Sequence, residues 1–426
     1  MMKTTEWINA IQNGTCAAFC ALYANDPTAK GRFTDAIRSF ERIYGKDREI
    51  AVFSVPGRSE IAGNHTDHNH GCVLAGAIDR DIIAIAAKNN DGVIRVQSEG
   101  YREINVSIAK STDPKNFDGF CSTALVAGVA GGFQKDGHKV GGFDAYTTTR
   151  VLKGSGLSSS AAFEVMIGNI LNHFYNDAAI PNPEIAKIAQ YSENVYFGKP
   201  CGLMDQMACA VGGFVFIDFA DPEKPIIRPI RFSLTGAGYS LAIVNTGGSH
   251  SDLNDDYASV PAEMKKVASF FGREVLRGTT EEELLGSAAV LRRTVGDRAL
   301  LRAFHFVREN DRVVAQREAL EEGRIADFLQ GEIASGRSSF EYLQNVYTNK
   351  NVAEQGLSLA LAITEGLLGG RDCAWRVHGG GFAGTIQAFV RRELAEEYAA
   401  AIDSVFGKGA CMLLSIREDG ATRILP

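Results

Sequence analysis

Near the start of the chain, RFTDAIRSFERIYG places Phe33, Ile37, Phe40 and Ile43 at three- and four-residue steps, which predicts amphipathic helix. From Ile50 the period drops to two. EIAVFSVPGR, CVLAGAI, RDIIAIAAKN, GVIRVQSEG and REINVSIAK are short, β-branched, alternating runs separated by Gly, Asn and Asp, and they predict an antiparallel sheet. CSTALVAGVAGGFQKDG returns to helical spacing, and GGFDAYTTTRVL is again extended.

In VLKGSGLSSSAAFEVMIGNILNHF, Phe163, Met166, Ile167, Ile170, Leu171 and Phe174 line one helical stripe whose N-terminus is a glycine- and serine-rich loop. A second helix, NPEIAKIAQYSENVYFG, precedes KPCGLMDQMACAVGGFVFIDF, which reads as a loop entering a strand. After about Pro225 the pattern restarts: strands RPIRFS and YSLAIVNT, several helices through Leu367, then the strand-like GTIQAFVRR and ACMLLSIRE. At 426 residues the chain exceeds the usual size of one core, so the predicted organisation is α+β in two domains, 1–225 and 226–426.

Composition narrows the function. The chain is 45% hydrophobic and 22% charged, an ordinary globular profile, and its formal charge of -7 with no Lys/Arg run argues against a nucleic-acid surface. MMKTTEWINAIQNG lacks the basic start and apolar core of a signal peptide, and no run of about 18 apolar residues occurs, so a cytoplasmic protein without a membrane partner is expected. The eight cysteines are scattered without a framework spacing and read as reduced.

Two stretches carry candidate chemistry. Strand, then KGSGLSSSAA, then helix is an arrangement for a polyphosphate: the first helical N–H groups have no internal partner, the dipole is positive there, and glycines admit the oxygens. A Walker loop is excluded because G-x-x-x-x-G-K-[ST] is absent. A dinucleotide fingerprint is excluded because Ser159 stands at its third glycine and TTTRV alternates polar residues like a half-exposed antiparallel strand. The second stretch, GRSEIAGNHTDHNHG from Gly57 to Gly71, crowds His65, Asp67, His68 and His70 together. No H-x-x-x-H or C-x-x-C pair supports a zinc shell, so the residues alone leave a metal site, an idle polar loop and an organic-ligand site open. HGGGFAG, His378 to Gly384, lies between strand-like WRV and TIQAFV and by itself reads as a hairpin turn.

In this order, PGRSEIAGNHTDHN, GSGLSSSAA and RVHGGGFAGT resemble the three motifs of the GHMP small-molecule kinases, and the first is similar to the galactokinase signature within that family. CGLMDQMAC, HFVREN and NTGGSHSDLNDDY fall where that family has counterparts, so the similarity runs from about Phe40 onward. The resemblance implies a two-domain GHMP kinase fold with an N-terminal α/β domain built on a ribosomal-protein-like unit, a ferredoxin-like C-terminal domain, and the site between them. It implies Asp205 and Arg58 as catalytic residues, and Asn64, His65, Asp67, Gly202 and Tyr257 as sugar contacts. Gly154, Ser155, Gly156, Leu157, Ser158, Ser159 and Ser160 would form the ATP loop, with Ser160 and Glu193 as Mg²⁺ ligands.

The implied reaction is ATP-dependent phosphorylation of a hexose C1 hydroxyl, with galactose first and a monomeric enzyme expected. Asp205 would accept the hydroxyl proton while Arg58 keeps that carboxylate ionised and stabilises the alkoxide. A non-catalytic sugar sensor is the contrasting reading; the intact SSSAA loop and Asp205 favour an enzyme. The chain departs from the family pattern at Glu60, usually Asn, at Asn64, usually Glu, at His68, usually Tyr, and at Leu152, usually Pro. In the family the residue at 64 is expected to read the C6 hydroxyl, so Asn64 is predicted to relax the barrier against a C6 carboxylate and to make galacturonate the alternative substrate.

Overall fold

The computed structural model describes residues 1–151, 156–248 and 253–426. Its first sheet is built from β1 (Met2–Lys3), β2 (Glu49–Ala62), β3 (Cys72–Lys88), β4 (Val93–Ser98), β5 (Ile104–Ser107), β6 (Phe143–Thr149), β7 (Phe214–Asp218) and β8 (Ile226–Ile230). The path is β1-β2-β3-β6-β4-β5, with β7 on the first half of β3 and β8 on β7. Sequence alternation explains why both faces are covered. Ile82, Ala84 and Ala86 of β3 belong to one core, while Ile83, Ile85 and Ala87 belong to another.

On the second face of β3 lie α1 (Thr4–Asn13), α2 (Ala17–Leu22) and α3 (Ala29–Tyr44), contributing Trp7, Phe19, Phe33 and Phe40. On the first lie α4 (Ser122–Lys135), α5 (Ser159–Tyr175), α6 (Asn182–Tyr191) and α7 (Met204–Val211). The α5 stripe read from the sequence is buried here: Met166, Ile167, Ile170, Leu171 and Phe174 face the core. Small residues of α4 admit a π-helical turn, Ser192–Phe197, so closely that a Cβ on Gly128 would meet Ser192 Oγ at 2.4 Å.

The second sheet joins β9 (Tyr239–Asn245), β10 (Ala374–His378), β11 (Thr385–Arg391) and β12 (Cys411–Leu414) in the order β10-β11-β9-β12, every pair antiparallel. Between β9 and β10 run α8 (Asn254–Phe270), α9 (Glu281–Thr294), α10 (Asp297–Glu321), α11 (Ile325–Ser338) and α12 (Gly356–Leu368); α13 (Arg392–Phe406) joins β11 to β12. This β-α-β-β-α-β order is the ferredoxin-like arrangement. One core, with Leu74, Leu157 and Phe214 packed together with Leu241, Val313 and Phe389, is shared by the two sheets. The site residues lie where the two sheets meet over it.

Several sequence expectations are displaced. CVLAGAI and RDIIAIAAKN form the single 17-residue strand β3, because β2 pairs with it along both halves through register shifts at Pro56/Arg58 and Glu60/Ala62. The stretch expected as a loop before β7 contains α7, whose Met207 to Ala210 are fully buried. β6 is interior over Phe143 to Thr147, where it also pairs parallel with β4, and only its end at Thr148 and Thr149, antiparallel to β3, has the half-exposed character expected of TTTRV. Ile43 of the first stripe is 40% exposed. β8 lies in the first sheet although the sequence division at residue 225 assigns it to the second domain, and β13 (Thr422–Ile424) returns from the chain end to pair with β2. Among the described residues no helix is long and apolar enough to cross a membrane.

Candidate active site

Arg58 projects from β2 and Asp205 from the first turn of α7, a position where the helix dipole favours a carboxylate. The two are joined bidentately, Nε to Oδ1 and Nη2 to Oδ2, each at 2.7 Å. Arg58 Nη1 also donates to the Gly156 carbonyl, and Ser158 Oγ donates to Asp205 Oδ2. Desolvation pushes the Asp205 pKa up, but the charge and hydrogen bonds of Arg58, with Ser158, outweigh it and hold the carboxyl below its ordinary value. A third of the Asp205 side chain, 33%, stays accessible, so the carboxylate is fixed yet reachable.

The loop after β2 is fastened from the other sheet's side of the molecule. The α10 segment HFVREN does this: His305 Nε2 meets Asn64 O at 2.9 Å, Glu309 Oε1 accepts from Gly63 N at 3.3 Å, and Asn310 Oδ1 accepts from Cys72 N at 2.9 Å. Three successive carbonyls of the glycine turn after β10 then accept from three of the residues expected to bind sugar. Asn64 Nδ2 reaches Gly379 O at 2.6 Å, His65 Nε2 reaches Gly380 O at 2.9 Å, and Tyr257 Oη reaches Gly381 O at 2.7 Å. Burial lowers the His65 pKa and raises that of Tyr257 to about 12, so both are neutral. Asp67 faces Gly202, where a Cβ would stand 3.1 Å from Asp67 Oδ2.

His65 is turned onto a carbonyl, and His68 lies exposed beside Asp67 at 3.8 Å. Among the described residues no three His, Cys, Asp or Glu side chains gather as a metal site.

Asn64, expected as a sugar contact, is held by the protein itself. The residue is 0% exposed, and its amide is fully engaged: Nδ2 also donates to Glu60 Oε1 at 3.1 Å, while Oδ1 accepts from Asn345 Nδ2 at 2.7 Å and Ser339 Oγ at 3.3 Å. Glu60 is neutralised by Arg376 at 3.1 Å, and Arg376 also meets Glu332 at 3.3 Å. Burial raises the Glu60 pKa, but Arg376 outweighs it, so the carboxyl stays ionised. A carboxylate at 60 therefore needs an amide at 64: two acids at this spacing would repel in a dry site.

On the phosphate side, Ser159 and Ser160 open α5 and remain partly accessible. Leu157 is a core residue at 1% exposure, offering only its backbone to a ligand, and the Ser158 hydroxyl is committed to Asp205. Gly154 and Ser155 lie outside the described residues, as does Leu152. Glu193, on the π-helical turn, accepts from Gln206 Nε2 at 2.8 Å, and Gln206 also donates to Glu164 Oε2 at 3.2 Å.

Residues 38–88 match the galactokinase galactose-binding signature and residues 124–213 match the GHMP kinases N terminal domain. The galactokinase of Streptomyces coelicolor is 30% identical over 402 residues, 91% of this chain and 97% of that protein. The chain belongs to the galactokinase family of GHMP kinases. A second galactokinase, from Glaesserella parasuis, is 33% identical over 84% of this chain and 89% of its own. In fold, the chain is similar to Lactococcus lactis galactokinase complexed with galactose, with a TM-score of 0.75 at 23% identity over 91% of this chain and 98% of that one. It is also similar to a mevalonate kinase, with a TM-score of 0.61 at 14% identity, covering 86% and 99%.

In this galactokinase-family chain, sequence reasoning assigned no role to Arg376, His378, Gln206 and His305, although each lies in a quoted motif or counterpart stretch, and passed over Glu164 and Asn345. A period-two reading of AWRVH puts Ala374, Arg376 and His378 on one face of β10, which was the available signal; that the face is fully buried, with Arg376 at 0% and His378 at 2%, comes from the packing of two sheets.

Proposed function

We propose that the chain transfers the γ-phosphoryl group of ATP to the C1 hydroxyl of galactose, as a monomer in the cytoplasm. The carrying observation is the convergence of Arg58 and Ser158 on Asp205, a carboxylate kept ionised and one-third accessible beside the first turn of α5. In the transfer, the sugar O1 forms a bond to the γ-phosphorus, the bond from phosphorus to the β,γ-bridging oxygen breaks, and ADP leaves. The O1 proton passes to Asp205, while Arg58, held by both Asp205 oxygens and the Gly156 carbonyl, stabilises charge on O1. Such a base typically contributes roughly 10²- to 10⁴-fold, with positioning and electrostatics supplying the remainder.

The donors fit Mg²⁺: Glu193 and Ser160 would supply hard oxygen ligands, and Glu164 Oε1, buried without a hydrogen-bond partner, would add an oxygen on the same Gln206 network. Bound there, the ion neutralises phosphate charge. His65, Asp67, Gly202 and Tyr257 frame the sugar side, and the Gly156 to Ser160 backbone supports the phosphates.

Sugar-dependent ADP release, measured by a coupled assay across galactose, glucose and galacturonate and combined with phosphorus NMR of the product, tests this. Galactose 1-phosphate is the expected product. Binding of galactose and ATP without ADP release would support the sensor reading. With Asn64 engaged by the protein, the structure offers the galacturonate alternative no free amide.

A further inference from the structure

His378 ends β10, where its ring is hydrogen-bonded to the first and third sequence motifs and lies beside the second. Its Nε2 lies 3.1 Å from Ser59 Oγ, the neighbour of Arg58, and its Nδ1 lies 2.8 Å from Thr385 Oγ1, the first residue of β11. The ring edge faces Gly156: a Cβ there would stand 3.2 Å from Cε1 and 3.3 Å from Nδ1. Gly156 is the residue whose carbonyl accepts from Arg58 Nη1, and the next carbonyl, of Leu157, accepts from Arg58 N at 3.1 Å. One imidazole is thus seated against both supports of the Arg58 guanidinium, the strand that carries it and the loop that receives it.

We propose that His378 is a positioning residue that sets the Arg58–Asp205 pair and the phosphate loop in register, a role that rests on the kinase reading above. Ser59 Oγ donates to Gln387 Oε1 at 3.4 Å, so it accepts from His378 Nε2–H, and Nδ1 accepts from the Thr385 hydroxyl. The ring is neutral, since burial brings its pKa down to about 3. Glu60 and Asp205 favour a cation there and Arg58 and Arg376 oppose it, so burial decides; the neutral ring, with one donor and one acceptor, links two hydroxyls and sets its Cε1–Nδ1 edge against Gly156. His378 touches no reacting atom; it acts through Ser59 and Gly156.

The test uses the full chain. His378→Ala should lower kcat at least tenfold and raise the KM for ATP at least fivefold, while galactose affinity without nucleotide, measured by calorimetry, stays within twofold. His378→Asn keeps a donor and an acceptor and should return kcat to within threefold of wild type. Ser59→Ala, which cuts only the Nε2 link, should lower kcat in the same direction, and it carries the test with His378→Asn if the alanine variant fails to fold. Wild-type kcat and ATP KM in folded His378→Ala would overturn the proposal, as would an asparagine variant no better than alanine, or a loss confined to thermal stability. If wild type binds nucleotide and sugar without releasing ADP, the kinase reading fails; affinity for a non-hydrolysable ATP analogue, unchanged in His378→Ala, would then separately overturn the placement of His378.

Discussion

Arg58 grips both carboxylate oxygens of Asp205, through Nε and Nη2 at 2.7 Å each. Arg58 and Asp205 are 147 residues apart in the chain, so this pair ties β2 to α7. Bidentate pairing fixes the rotamers of both groups, which a point charge would leave free to turn.

Asp205→Asn retains the shape and one acceptor but cannot take the hydroxyl proton. Turnover should fall by roughly 10²- to 10⁴-fold. Single-turnover ADP release measures the loss, and calorimetry should find galactose affinity within a few-fold of wild type. Near-normal turnover would remove Asp205 from the mechanism.

Gly156→Val adds a branched side chain at φ +72°, where its first carbon already lies 3.2 Å from the His378 ring. The loop must shift away from β10. The KM for ATP should rise at least tenfold, while sugar binding in the absence of nucleotide is unchanged. Titration with a non-hydrolysable ATP analogue is the direct check, and unaltered affinity would make the loop a structural turn.

Asn64→Glu places an acid where an amide now donates to Glu60 Oε1 and to the Gly379 carbonyl. The variant should lose about 2 to 4 kcal/mol of stability, the scale of an uncompensated buried charge, and Glu60→Asn in the same chain should restore at least half. Urea unfolding of the two singles and the double gives the coupling. The galactose-to-galacturonate ratio of kcat/KM should not change. A ratio that moves with residue 64 alone would return that side chain to the sugar.

Asp81 offers a prediction about pH. It is 1% exposed and accepts from Arg32 at 2.5 Å and Ser54 at 2.6 Å, with Arg417 at 3.4 Å. Burial raises its pKa, but Arg32 and Arg417 outweigh that and leave it below its usual 3.8. Because the folded value lies below the unfolded one, the stabilisation is complete above the unfolded value and is lost as pH falls through the folded value. Asp81→Asn should therefore cost about 3 to 5 kcal/mol at pH 7 and progressively less in acid. Urea midpoints at pH 7 and at about pH 2, well below the unfolded value, measure it; an equal loss at both would mean the carboxylate's charge is irrelevant.

What the sequence determined alone is local chemistry with a short period. The Met166 to Phe174 stripe, the Gly/Ser loop at its N-terminus and the order of the three motifs were legible because helical spacing, an unpartnered helix end and glycine's freedom are properties of adjacent residues. The pairing of Arg58 with Asp205 was partly legible, since both fall in recognisable stretches. Other features were not. α7 is a short helix made stable by burying Met207 to Ala210, and β8 joins the first sheet because β7 presents it an edge. Asn64 reads from sequence as a ligand contact, and its bonds to Gly379, 315 positions away, and to Asn345, 281 positions away, could not be read there. Arg376 and His378 fall in the third motif, but the roles of their side chains do not show until β10 packs against β2. A polar group taken out of water must find partners, and which groups meet is decided by the docking of the two sheets over a shared core, an arrangement that no local window of sequence contains.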